Sequence, residues 1–147
     1  MAPPPPPRPR LDKKAIAGWC LYDAANSAFT TLIITFIYAA FFTKTFFDES
    51  AVNHGEALWA RGATITAIVV ALLSPVLGAV ADRGGYRMIS LIITTVVCVA
   101  ATIGLFFVVP PDGALMALAL IVTANIAFEL GLVFYNAFLP DLAPKDV

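Results

Sequence analysis

Asp23, Asn26, Asn125, Glu129 and Asn136 are polar side chains set inside long apolar runs, where they could bind a solute or carry a proton. A carboxylate at the centre of a bilayer costs about 2.5–3.5 kcal/mol, and less near the interface. An acid kept there must be wetted, be paired, or face a cavity in which it can gain and lose a proton. On a helix, Asp23, Asn26, Ser27 and Thr30 share one face. Asp23 lies near the end of its run, where a wetted acid or a local cap accounts for it as well as a binding role does. Asn125, Glu129 and Asn136 fall on one stripe at i, i+4 and i+11. Glu129 lies about 15 residues past the turn that opens its run, roughly 22 Å along a helix axis. Wetting from that side is excluded at such depth. The expectation is a cavity-facing, protonatable Glu129, against the alternative of a structural pair with a cation.

The elements that must position these residues are membrane helices. Hydrophobic residues make up 60% of the chain and charged residues 13%, with a mean hydropathy of +0.86. A soluble domain is nearer half apolar and a quarter charged. The expected fold class is all-α: a polytopic membrane protein with four transmembrane helices at about 16–42, 59–81, 88–109 and 114–138. The connections are about 43–58, 82–87 and 110–113, the last being the breaker Pro110-Pro111-Asp112-Gly113. Residues 1–14 are expected to be a disordered Pro/Arg-rich cytoplasmic tail, with Pro3 to Pro7 favouring polyproline II. The apolar run behind that tail is too long for a cleaved signal peptide and reads as a retained first helix. Pro75 is expected to kink the second helix. Net charge is −1, which points to no nucleic-acid partner.

Other chemistry is thin. Cys20 and Cys98 lie in different apolar runs and make no metal or disulfide pattern. His54, the single histidine, falls in the expected first connection beside Glu56, and one histidine does not hold a metal. No nucleotide-binding loop, Ser/His/Asp set or haem motif occurs. The reading is therefore no enzyme, no cofactor and no metal site.

One stretch joins two apolar runs in a recognisable way: Gly78-Ala-Val-Ala-Asp82-Arg83-Gly84-Gly85-Tyr86-Arg87. Gly78 and Ser74 form a small-xxx-small face for close helix approach. Gly84 and Gly85 offer the left-handed backbone that a tight reversal needs. Arg83 and Arg87 would hold the loop on an anionic cytoplasmic surface. The stretch resembles the G-x-x-x-D-R-x-G-R-[RK] signature of the major facilitator superfamily of secondary transporters, with Tyr86 where a cation is usual. Tyr22-Asp23-Ala-Ala-Asn26-Ser27-Ala-Phe29 and Phe134-Tyr135-Asn136-Ala-Phe-Leu-Pro140-Asp141 narrow the resemblance. They are similar to stretches of the vacuole-effluxer-like branch, which includes a fungal vacuolar amino-acid exporter and many bacterial members. Ala24 replaces the tryptophan usual in the first stretch.

The resemblance implies a secondary transporter of a small solute working by alternating access, with two halves of six helices and a substrate path between them. It implies that Gly78, Asp82, Arg83, Gly85 and Arg87 form a cytoplasmic gating motif. It suggests efflux, names no substrate, and leaves protons as the candidate coupling ion. Four helices correspond to the start of such a fold, so the chain reads as an N-terminal fragment. The alternative is a non-transporting four-helix membrane protein, a truncated remnant or an assembly module. Cation placement sets the orientation. Arg8, Arg10, Lys13, Lys14, Arg83, Arg87 and Lys145 lie on one side, and Lys44 and Arg61 on the other. Both termini are therefore expected in the cytoplasm of a cell that carries the protein in its plasma or inner membrane. Trp19, Tyr22 and Trp59 suit interfacial anchors.

Overall fold

A computed structural model describes residues 13–47, 51–82 and 85–139. Among them every regular element is helical. Residues 1–12 of the Pro/Arg-rich tail, Arg83, Gly84, Pro140 and Asp141 lie outside the described residues, whereas Lys13 and Lys14, expected in the disordered tail, begin the first helix. Four helical stretches are long and apolar enough to cross a membrane: Lys13–Thr45, Asn53–Ala79, Arg87–Phe107 and Ala114–Asn136.

The first stretch is longer than expected and is not uniform. Helix α1 (Lys13–Phe29) passes into a π-helical segment, Thr30–Phe36, and then into α2 (Ile37–Thr45). The Thr35 hydroxyl donates to the Thr30 carbonyl at 2.9 Å, five residues back, in register with the wider turn. Isolated π turns inside α-helices widen the backbone locally and re-aim the side chains on either side.

Helix α3 (Val52–Asp82) begins well before residue 59 and absorbs most of the expected first connection. It continues through Pro75 as one α-helix. His54 is thus on a helix rather than in a loop, with its ring 5.8 Å from that of Phe47. The early start has a packing reason. Phe42 is fully buried, and its ring meets Phe46 at 5.5 Å, Phe47 at 5.7 Å and Trp59 at 5.7 Å. This aromatic knot ties the end of α2 to the first turns of α3 and rests on Leu105, Ala117 and Ile121. Trp59, expected as an interfacial anchor, is packed into that knot.

Helix α4 (Arg87–Gly104) ends in a short 3-10 turn, Leu105–Phe107, and α5 (Ala114–Asn136) follows the Pro-Pro turn. Helix α5 is the axis of the molecule, with nine buried residues. Helices α3 and α4 flank it on opposite sides. Small residues make this possible: Ala101, Ala124 and Ala127 pack with Cys98 and Phe128 between α4 and α5. Without a hydrophobic drive between helices in lipid, such small side chains let backbones come close enough for dispersion to hold them. The apolar flanks left open, such as Leu72, Ile92, Val96 and Leu115, suit contact with acyl chains.

Candidate functional site

The two stretches that resemble the effluxer branch are more than 100 residues apart and meet in space. Trp19 and Tyr135 stack with ring centroids 4.7 Å apart and planes within 8°. Tyr22 stacks on the same ring at 5.2 Å. The Tyr135 hydroxyl donates to the Trp19 carbonyl at 3.0 Å. Helix α1 is thereby pinned to the end of α5 by aromatic area and one hydrogen bond. Trp19 is packed rather than left as an interfacial anchor, and its indole Nε1 is buried without a partner among the described residues.

Beyond this stack a groove of about 470 Å³ opens between the first span, α4 and α5. Asn26, Phe29 and Ile33 form one wall, Thr94, Thr95 and Thr102 the second, and Phe128 and Gly131 the floor. The Thr95 hydroxyl spends its proton on the Leu91 carbonyl at 2.7 Å. Its lone pair then accepts from the Tyr22 hydroxyl at 2.8 Å. Thr94 and Thr102 likewise donate to carbonyls of their own helix. The groove is thus mostly apolar, with Asn26 as its amide and hydroxyl oxygens turned largely toward backbone. Gly131 keeps the contact close here: a Cβ would lie 3.2 Å from the Thr94 Oγ1, which would have to give by a few tenths of an ångström.

The polar residues of the first helix meet different surroundings among the described residues. Asn26 lines the groove, whereas Asp23 and Ser27 are exposed on another side. The Ser27 hydroxyl bonds the Asp23 carbonyl at 2.9 Å and Thr30 bonds the Ser27 carbonyl at 3.0 Å, so both satisfy backbone. On α5 the stripe is divided by its neighbours. Asn125 faces α3 in a small seam cavity. Glu129 is half-buried and makes no hydrogen bond or ion pair with any described residue. Asn136 is exposed at the helix end.

The hairpin differs from expectation in its glycines. A Cβ on Gly78 or Gly85 would meet nothing within 4 Å among the described residues, and Gly85 does not adopt the left-handed conformation. Close approach occurs instead at Gly62, where a Cβ would lie 2.8 Å from Leu118 and 3.2 Å from Val122. Among the described residues, the small-residue contact of α3 is thus made at Gly62, one turn from Thr66. Asp82 ends α3. Arg87 reaches further than a surface loop would require: its Nη1 donates to the Ala137 carbonyl at 3.1 Å. A cation there meets the partial negative charge at the end of α5. Among the described residues no His, Cys, Asp and Glu cluster could hold a metal ion.

The family model described as vacuole effluxer Atg22 like matches residues 57–147. The chain belongs to the Atg22-like vacuole effluxer family. It is 33% identical over 130 residues to an uncharacterized MFS-type transporter, YxiO, of Bacillus subtilis (strain 168). That alignment covers 87% of this chain and 30% of the relative, so the chain spans about a third of the relative's length. No solved structure matches. In this Atg22-like chain the aromatic stack and the Arg87 contact were missed by sequence reasoning. The signal for the stack was the presence of Tyr22 and Tyr135 in the two stretches that resemble the branch, and Trp19 lies one turn before the first of them.

Proposed function

We propose that this chain is the N-terminal part of a secondary carrier that moves a small solute across a membrane by alternating access. The observation that carries the reading is the 33% identity to an MFS-type transporter over 87% of the chain. Packing is consistent with it. Helices α3, α4 and α5 form a bundle, while α1 leans on it through the aromatic stack, the Tyr22–Thr95 hydrogen bond and the Phe29–Phe128 ring contact, and leaves a groove beside Asn26. In the whole carrier the solute path runs between this part and the remainder. Gly78, Asp82, Arg83, Gly85 and Arg87 then belong to the cytoplasmic gate, and Glu129 is the group that exchanges protons with the path.

The test compares two reconstitutions in proteoliposomes. Residues 1–147 alone should give no saturable uptake, because much of the path is supplied by helices outside them. A relative of full facilitator length should transport. Specific, saturable uptake by residues 1–147 would overturn the part-carrier reading in favour of a self-assembling four-helix transporter. No transport by the full-length relative across a panel of amino acids and other small solutes would favour the non-transporting alternative.

A further inference from the structure

Threonine hydroxyls in these helices follow a pattern with one buried exception. Thr43, Thr64, Thr94, Thr95, Thr102 and Thr123 each donate to a carbonyl three or four residues back on their own helix. That local bond is the usual way to hide a hydroxyl in an apolar phase. Thr66 is only 4% exposed, and its Oγ1 has no hydrogen-bond partner among the described residues. It lines a cavity of about 30 Å³ in the seam between α3 and α5. Across the cavity stands Asn125, which makes no hydrogen bond with any described residue. The remaining walls include Ile34, Ile121 and Val122, which are dry.

A buried hydroxyl left unsatisfied carries a desolvation cost of about 1–3 kcal/mol, and the half-buried Asn125 amide beside the same cavity offers a second polar group to whatever fills it. A water needs about 10–15 Å³ of such space and at least two polar partners. The cavity meets both needs. A hard cation such as calcium takes 6–8 oxygens, whereas this cavity has two neutral polar side chains opposed. A solute of several heavy atoms would not fit. We propose that Thr66 and Asn125 hold one or two ordered waters that bridge α3 to α5. The close approach at Gly62, one turn from Thr66, brings the helices near enough for a single bridge to span them.

Water-to-protein magnetisation transfer, measured by solid-state NMR on the full chain in lipid bilayers, tests it. The Thr66 and Asn125 side chains should receive magnetisation from water at mixing times at which the fully buried Ala124 stays dark. Thr66→Val, which keeps the shape and removes the hydroxyl, should abolish the transfer at Asn125, and Thr66→Ser should retain it. Build-up at Thr66 and Asn125 as slow as at Ala124 in the unaltered chain would overturn the proposal without any variant. Undiminished transfer to Asn125 in Thr66→Val would also overturn it, since the water would not then be held by Thr66.

Discussion

Tyr135 does two separable things at the residue scale, and two substitutions divide them. Tyr135→Phe removes the hydroxyl bond to the Trp19 carbonyl and keeps the stack. Hydrogen bonds between membrane helices are worth about 0.6 kcal/mol on average, so that variant should lower unfolding stability by about that much. Tyr135→Ala also removes the ring from between Trp19 and Tyr22, and should cost about 3 kcal/mol. Denaturation titrations in mixed micelles would measure both, and equal losses would show that the stack contributes nothing. Glu129 makes a different prediction because no described residue pairs with it. Glu129→Gln in a full-length relative keeps size and hydrogen bonding but cannot ionise. Proton-driven transport should be lost there, with membrane insertion unchanged. Proton-driven transport at the unaltered rate would remove Glu129 from the coupling role.

At the scale of elements, the α3–α5 contact depends on the absence of a side chain at Gly62. A single methyl there meets the ends of Leu118 and Val122, which are flexible and can give way. Gly62→Ala should therefore be tolerated at a cost of about 1 kcal/mol, whereas Gly62→Leu should push the helices apart and cost about 2–3 kcal/mol. Substitution at Gly78 tests the contrast. Its Cβ direction is open among the described residues, so Gly78→Ala should leave stability unchanged or slightly raised through helix propensity. Thermal unfolding of the variants side by side would check the order, and a Gly78→Ala loss as large as that of Gly62→Leu would contradict it. The π segment gives the first span a related asymmetry. Leu32 and Ile33 point to the groove and Ile34 to the opposite seam, so one short stretch serves both cavities.

For the whole molecule, the distribution of nine Lys and Arg residues predicts topology. Seven lie on the side of the termini and the Arg83–Arg87 hairpin, and two on the other. Cysteine-scanning with a membrane-impermeant thiol reagent should label a cysteine placed at Asp112 from outside the cell and one placed at Lys145 only after permeabilisation. The reverse pattern would overturn the orientation. The Arg87 bond to the Ala137 carbonyl is consistent with it, since it holds the hairpin and the end of α5 at one face of the bundle.

Hydropathy alone determined that this chain is four helices in a membrane, because 20 or so apolar residues leave a backbone no other way to satisfy its hydrogen bonds in lipid. Three short motifs of Gly, Asp, Arg and aromatic residues at fixed spacing pointed to the family, which the matches to the family model and to an MFS-type relative then showed. Tertiary structure decided which faces meet. Lipid is as apolar as a leucine surface, so burial pattern along a membrane helix carries little sign of its partner, and the glycine that permits contact cannot be told in sequence from one that does not. Gly62 and Gly78 sit on the same helix with similar neighbours, yet only Gly62 lies against α5. The same limit applies to the polar residues. A helical stripe placed Asn125, Glu129 and Asn136 together, but it was packing that turned Asn125 to a cavity opposite Thr66, left Glu129 without a described partner, and put Asn136 at the surface.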